Sequence, residues 1–423
     1  MRRLTRTTAF AAGVATVTAL SLGLPGVAHA DSAAARNGDV VGVGSDTLQN
    51  GADFLFDGAP GVVGGYNTLG NNHRVYSFFA TGDANGRATY DGTCGTASAA
   101  TGLGTFCANT NNQAPNLLPA TVVLRDGTVP VTRPNGSGAG VAALINDTPG
   151  DAADFKGYQG LPNGSIQFAR MSRLPNSTEE GECPTSGACG GLHVYQFATD
   201  KLQIAHDAAT YNGPSGLSAD ELYHIFVTCD YTKWNQIPGN SAGSSDTIHP
   251  LIPQSGSGTR NFFLADLAAA EGITTTLTPG ACTRTVEEHD PTGIYADPTP
   301  ADAIEPFSTG KLALINSGYF KNAGYSGNGA ANGAYTPGFL TTLKGTAPDT
   351  KASYNSTRGL YFVIRNTDLA SKTPLQAGGT QNWAQTLFVG SNSVIARAAN
   401  APLIEAAGFT PAYKDCGVNP TSC

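Results

Sequence analysis

One turn in this chain has residue types suited to binding an anion. Residues 255–260 read Ser-Gly-Ser-Gly-Thr-Arg, and apolar residues at helical spacing follow them. Glycines permit positive φ, and the amide N–H groups that begin a helix are unpaired and carry partial positive charge. The hydroxyls of Ser257 and Thr259 and the guanidinium of Arg260 add donors at the same place. The segment therefore predicts an oxyanion site that also includes the backbone of Gly258.

Glycine-rich turns are weak indications by themselves, because 53 of the 423 residues are glycine and Gly-x-Gly patterns arise by chance. Two further hydroxyl-bearing turns nevertheless precede predicted helices in the same chain. Ser45, Asp46 and Thr47 follow a buried strand, with Ser45 or Asp46 expected to cap the next helix. Ser137 and Gly138 precede an apolar helical run. Three junctions of one chemical type favour a shared ligand.

A fourth segment ends a short strand near residue 168. Arg170 and Ser172 stand at its carboxyl end, the edge at which open α/β sheets bind ligands. The alternative is that Arg170 and Arg173 form a solvated basic pair. The full candidate set is Ser45, Asp46, Thr47, Ser137, Gly138, Arg170, Ser172, Ser257, Gly258, Thr259 and Arg260.

The contiguous run Glu287-Glu288-His289-Asp290 resembles a metal cluster only in composition. Contiguous side chains alternate around the backbone and rarely converge on one ion, so we predict a solvated loop outside the site. No metal site, cofactor or catalytic residue is predicted, and the chain has no H-E-x-x-H motif.

The first thirty residues are predicted to be a cleaved export signal. Three arginines precede an uncharged apolar run, and Ala28-His29-Ala30 is an A-x-A cleavage site. The first cysteine is Cys94, so no lipid anchor is expected and the mature protein should be released. Cleavage would remove three arginines and no acid, taking the formal charge from −8 to about −11, which disfavours nucleic acid or an anionic membrane as partner. No membrane-spanning segment is predicted.

Eight cysteines in an exported chain favour disulfides over metal ligation. Proximity along the chain predicts local pairs, although eight cysteines allow many connectivities. The expected bonds are Cys94–Cys107, Cys183–Cys189, Cys229–Cys282 and Cys416–Cys423.

In their order, these motifs resemble the type 2 periplasmic (extracytoplasmic) binding proteins, specifically the phosphate-binding component of ABC transporters. The similar segments are residues 42–47, 135–140, 166–173, 217–226 with 232–235, 255–259, and the closing helices near 388–391 and 406–409. The resemblance implies an α/β fold of two domains with a ligand cleft between them. It departs from the family at Arg170-Met171-Ser172, where an aspartate usually accepts the proton of hydrogen phosphate, and at Pro253-Gln254, where an arginine is usual. Asp46 is the candidate substitute for that acceptor.

Length and junction order predict four segments. Residues 1–30 are the signal, 31–195 the first part of domain I with a flexible lead-in at 31–38, 196–349 domain II, and 350–423 the rest of domain I. Each domain is expected to have its own sheet, so no unbroken sheet should run through Val41, Ile252 and Val363.

The leading hypothesis is a secreted, monomeric binding protein that closes on phosphate or a similar tetrahedral oxyanion. An ABC transporter permease is the expected partner that the resemblance implies. Two alternatives remain: an exported phosphatase-like hydrolase, and a surface scaffold or adhesin that keeps the fold without the ligand.

Overall fold

The computed structural model describes residues 34–80, 121–148, 164–322, 334–344, 353–370 and 382–423. The predicted export signal and the Cys94–Cys107 bond lie outside these ranges. The strands are β1 (Val40–Gly44), β2 (Val75–Ser77), β3 (Thr121–Val122), β4 (Val131–Thr132), β5 (Phe168–Met171), β6 (Leu192–Asp207), β7 (His249–Pro253), β8 (Arg284–Val286), β9 (Ala303–Ser308), β10 (Leu340–Thr342), β11 (Asn355–Arg365) and β12 (Thr410–Val418). The α-helices are α1 (Gln49–Asp57), α2 (Ser137–Asn146), α3 (Ser177–Glu182), α4 (Ala219–Phe226), α5 (Gly258–Ala270), α6 (Thr292–Tyr295), α7 (Thr309–Asn316), α8 (Tyr319–Asn322), α9 (Trp383–Phe388) and α10 (Ala401–Ala406).

Most of the described strands form one mixed sheet. Its order is β2-β1-β5-β11-β6-β9-β7-β8, and β10 and β12 also pair with β6. Strands β2, β1 and β5 are parallel, as are β8, β7 and β9, whereas β6 and β11 run antiparallel to their neighbours. Strands with helices between them give the mixed α/β architecture that the sequence predicts.

Strand β6 connects the two halves of the sheet. Along one of its edges β11 pairs with residues 192–203 and β10 with residues 205–207. Along the other edge β12 pairs within residues 193–199 and β9 with residues 202–205. The expectation of two unconnected sheets is therefore wrong, because the crossing segment is itself a strand long enough to pair on both sides. The domain boundaries stay a prediction: residue 195 falls inside β6, and residue 349 lies outside the described part of the chain.

Close packing at β1 depends on a glycine. All five residues of β1 are buried, and a Cβ on Gly42 would lie 1.9 Å from the ring of Phe168 on the neighbouring strand. Phe168 in turn packs edge-on against Phe56, Phe362 and Phe388. The apolar core on this side of the sheet thus fixes the position of β1 and β5 and of the turns that follow them.

The helix starts agree in part with the sequence prediction. Ser257 caps α5 by accepting from the Arg260 amide at 3.1 Å, and Ser218 and Glu221 form a capping box on α4. The predicted cap of α1 is wrong, since that helix begins only at Gln49 and no described side chain caps it. Of the closing helices predicted near 388–391 and 406–409, α9 ends at Phe388 and α10 at Ala406, and turns occupy most of residues 390–400 between them.

Three predicted disulfides are confirmed: Cys183–Cys189, Cys229–Cys282 and Cys416–Cys423. Among the described helices, none combines the length and the apolar character needed to cross a membrane.

Candidate functional site

The structure brings the four predicted segments together. The backbones of the α2 and α5 turns touch, since the amide of Gly138 donates to the carbonyl of Gly256 at 3.0 Å. A Cβ on Gly136, which has a φ of 91°, would lie 2.6 Å from the same carbonyl oxygen, so only glycine fits there. The two helix starts therefore meet directly across the cleft.

Three serines form a first group of buried hydroxyls, here named the serine cluster. The Ser172 hydroxyl lies 3.3 Å from the hydroxyls of both Ser45 and Ser137, and its amide donates to Ser137 Oγ at 3.0 Å. Gly258 packs against the cluster so closely that a Cβ on it would lie 2.2 Å from Ser137 Oγ and from Ser172 Oγ. The hydroxyls of this group bond to one another in a neutral, tightly packed contact.

Two threonines form a second group, here named the threonine pair. Thr47 and Thr259 are fully buried, and their hydroxyl oxygens are 3.3 Å apart. Both donate to the same carboxylate oxygen, Glu288 Oε1, at 2.9 Å from Thr47 and 2.5 Å from Thr259. The Thr259 amide also points at that oxygen, at 3.4 Å. An anionic oxygen thus lies where the α5 turn and the β1 turn converge.

A buried arginine lies behind the threonine pair. Arg358 donates from Nη1 to Thr259 Oγ1 at 2.6 Å and from Nη2 to Thr47 Oγ1 at 3.4 Å. Its Nε and Nη2 bond to Asp200 Oδ2 at 3.1 and 2.9 Å, and the two residues are register partners on β11 and β6. Neither residue belongs to the set predicted from sequence; the available signal was a charged residue placed just before the apolar run 359–364.

His289 supplies a further donor to both hydroxyls. Its Nδ1 accepts from the Ser308 amide at 3.3 Å, so Nε2 carries the hydrogen and faces Thr47 at 3.0 Å and Thr259 at 3.1 Å. Burial, followed by the charges of Arg358 and Lys311, holds the pKa of His289 well below its ordinary value, so the ring is neutral. Its φ of 57° is uncommon for a residue other than glycine, a kind of strain that concentrates at functional sites.

The threonine hydroxyls are consequently polarised in one direction. Each can accept from Arg358 and His289, and each donates its own hydrogen towards the position of Glu288 Oε1. Low polarity around buried groups strengthens such chains of hydrogen bonds. Donors fixed in this way suit an anionic oxygen.

The prediction of a solvated loop at residues 287–290 is wrong. Glu288, His289 and Asp290 are all buried. Gln254 holds the loop by accepting from the Glu288 amide at 2.8 Å, and Asn135 donates to both oxygens of Glu287 at 3.0 and 3.1 Å. Polar side chains from both turns therefore draw the loop into the cleft, an arrangement that residue spacing alone does not reveal.

Burial raises the pKa of Glu288 and raises that of Glu287 well above its ordinary value, with the charge of Asp46 the next contribution for both. The described residues contain no group of three or more His, Cys, Asp or Glu side chains arranged to hold a metal ion.

The two predicted arginines have different surroundings. Arg170 is fully buried and donates to Ser77 Oγ and to the carbonyls of Gly44, Ser45 and Phe78, so it ties the β1 and β2 turns together and we drop it from the ligand set. Arg260 is partly buried at the rim and donates to the Pro253 carbonyl at 3.1 Å.

A small cavity, here named the acidic cavity, adjoins the threonine pair. Its lining residues are Asp46, Gln49, Glu287, Glu288, His289, Asp290, Lys311, Phe320 and Tyr335. Asp46 forms an ion pair with Lys311 at 3.3 Å, and the lysine also donates to Asn50 at 2.8 Å.

Residues 239–243, Gly-Asn-Ser-Ala-Gly, match the G-x-S-x-G pattern of serine hydrolases. They lie in turns before β7, and Ser241 is exposed, so the strand-to-helix setting of a nucleophile elbow is not met in this described segment.

Comparison with protein families gives a match to the PBP superfamily domain over residues 95–389. The chain belongs to this superfamily, which confirms the predicted periplasmic-binding-protein class and its mixed α/β fold. No curated protein sequence matches the chain.

Several solved structures are similar in fold. An ABC-type phosphate transport receptor from Vibrio cholerae is 13% identical with a TM-score of 0.43, and the match covers 88% of this chain and 99% of the receptor. PstS from Borrelia burgdorferi is 14% identical with a TM-score of 0.37, covering 88% and 98%. An ancestral soluble variant of the human phosphate-binding protein is 15% identical with a TM-score of 0.45, covering 88% and 90%.

Proposed function

We propose that this chain is an exported solute-binding protein that holds phosphate or a similar tetrahedral oxyanion at the threonine pair. One observation carries the proposal: two polarised hydroxyls from opposite turns already converge on one carboxyl oxygen, Glu288 Oε1. A ligand oxyanion offers the same kind of acceptor, with additional oxygens for the amide groups that begin α2 and α5.

The oxyanion can bind in two arrangements: it displaces Glu288 from the threonine pair, or it donates a hydrogen to Glu288. A fully ionised oxyanion has to displace the carboxylate from Thr47 and Thr259, because two buried anions at one position repel each other. A protonated oxyanion can instead donate its hydrogen to Glu288, which then replaces the aspartate that is usual near residue 172 in the phosphate-binding relatives. Glu288 is a better candidate for this acceptor than Asp46, whose carboxylate is paired with Lys311.

Ligand entry requires the two turns to separate. In the present structure Gly138 and Gly256 are in direct contact and the threonine pair is fully buried. We propose that the halves of the molecule open and close about the crossing strands β6 and β11, with the oxyanion enclosed on closure. A permease of an ABC transporter is the proposed recipient, and the monomer is the proposed binding form.

Titration calorimetry with phosphate, arsenate and sulfate tests the proposal. We expect saturable binding of at least one of them below millimolar concentration. Failure of all three at millimolar concentration would leave the fold as a scaffold without this ligand. Release of phosphate from a generic ester, measured with the same sample, would instead support a hydrolase.

A further inference from the structure

The acidic cavity has more negative than positive groups. Four of its described lining residues are acids, Asp46, Glu287, Glu288 and Asp290, whereas Lys311 is the one lysine or arginine among them. That lysine is already engaged with Asp46 and Asn50. His289 is held neutral and does not offset the remaining carboxyl groups.

One oxygen of the Glu288 carboxylate has no hydrogen-bond partner among the described residues. Glu288 is 1% exposed, and its Oε2 makes no hydrogen bond within the part of the chain that the structure describes, although Oε1 is bound by the threonine pair. A buried acceptor without a donor costs free energy. Burial, followed by the charge of Asp46, raises the pKa of both Glu287 and Glu288.

Binding of an oxyanion makes this imbalance larger. An ionised ligand that takes the place of Glu288 Oε1 on the threonine hydroxyls leaves the carboxylate inside the cavity beside Asp46, Glu287 and Asp290. A displaced, buried anion is stable only if it gains a cation or a proton. The ligand itself can supply that cation.

We infer that the cavity receives an ammonium group carried by the ligand, so that the solute is a short zwitterion with an oxyanion at one end. This inference rests on the proposed oxyanion function. An aromatic ring also attracts an ammonium group. Phe320 lines the cavity, and its ring centre is already 5.7 Å from the ammonium of Lys311.

The two ends of the ligand lie close together. Glu288 bonds to the threonine pair through Oε1 and is also one of the residues that line the cavity, so the two subsites are neighbours. Because Glu288 belongs to both subsites, we infer a short linker between phosphorus and nitrogen.

Calorimetry with two matched phosphonates tests the inference on the wild-type protein. The probes are 2-aminoethylphosphonate and ethylphosphonate, which differ in the ammonium group, with inorganic phosphate measured in parallel. We expect the amino compound to bind at least about tenfold more tightly than ethylphosphonate, because a charge-assisted bond in a buried site has that effect.

A matched pair of variants locates the effect. Glu287→Gln removes one cavity charge and keeps a similar shape, and Glu182→Gln changes an exposed acid on α3. The preference for the amino compound should fall about tenfold in Glu287→Gln and stay unchanged in Glu182→Gln. Circular dichroism and urea denaturation of ligand-free Glu287→Gln should match a folded protein, which separates loss of the subsite from loss of the fold.

Equal affinity for the two phosphonates, together with normal phosphate binding, would overturn the ammonium subsite and leave the proposed function intact. An unchanged preference in Glu287→Gln would overturn the placement in this cavity. If phosphate and both phosphonates all fail to bind, the proposed function falls and the subsite falls with it.

Discussion

The serine cluster and the threonine pair each include a hydroxyl from the β1 turn and each contact the start of α5, but they differ in electrostatics. Each joins a hydroxyl from the β1 turn to groups at the start of α5, and both are buried. The serine hydroxyls bond to one another, whereas the threonine hydroxyls lie between Arg358 and His289 on one side and Glu288 on the other. The comparison shows that buried hydroxyls at helix starts can serve as packing contacts or as ligand donors, and that neighbouring charges separate the two roles.

The largest expected effect is loss of the charge behind the threonine pair. Arg358→Met leaves Asp200 buried and unpaired, and breaking a buried ion pair costs about 3–5 kcal/mol of unfolding free energy. Arg74→Met is the matched control, because Arg74 and Asp57 form an exposed pair worth at most about 1 kcal/mol. Urea denaturation measures both, and equal losses would contradict the role given to Arg358.

The next largest effect is expected on ligand affinity, which should differ between the threonine pair and the serine cluster. Thr259→Val keeps the volume and removes a polarised donor, so oxyanion affinity should fall about ten- to a hundredfold. Ser172→Ala removes a hydroxyl whose described partners are Ser45 and Ser137, so the change should be less than about threefold. Calorimetry with phosphate checks both variants, and a larger loss in Ser172→Ala would reverse the assignment.

The pH dependence of the unfolding free energy should also differ between a variant in the acidic cavity and a variant in the serine cluster. The folded-state pKa of Glu287 is raised, so its ionised form is disfavoured in the folded protein and this penalty grows as pH rises above about 4.5. Glu287→Gln should therefore gain stability relative to wild type between pH 5 and 8, by about 1.4 kcal/mol for each unit of pKa difference. The stability difference between Ser172→Ala and wild type should not change with pH. Urea titrations at several pH values decide this.

The smallest effect is expected at the rim. Arg260→Ala removes a partly buried charge near the α5 start, and oxyanion affinity should fall about threefold at low salt. Because screening weakens such interactions, the difference should vanish near 0.5 M salt. The loss in Thr259→Val should persist there, and calorimetry at two salt concentrations compares them.

Local chemistry in the sequence predicted the turns well. Hydroxyl residues before apolar helical runs gave the α2 and α5 starts, and proximity gave three disulfides. Both depend on neighbours along the chain, which a sequence displays directly.

The missed parts depend on tertiary contacts. The sequence around Glu288 and His289 predicts a solvated loop. The two residues are buried because Gln254 and Asn135 bind their loop from distant turns. Arg170 has a ligand-like position at a strand end, yet backbone carbonyls from two other segments take up its donors. Which partner a polar side chain finds across the sheet is decided by strand order, and a single sequence does not give it.

The continuous pairing of β6 has a mechanical consequence. A strand paired on both edges cannot rotate about one residue as a loop does, so the proposed opening and closing of the two halves would be distributed as twist along β6 and β11. Their ladder contains a register shift between Leu360 and Tyr361, a feature that locally increases twist. Asp200 and Arg358 are register partners two residues from that shift. The charge behind the threonine hydroxyls therefore lies on the part of the ladder that would twist.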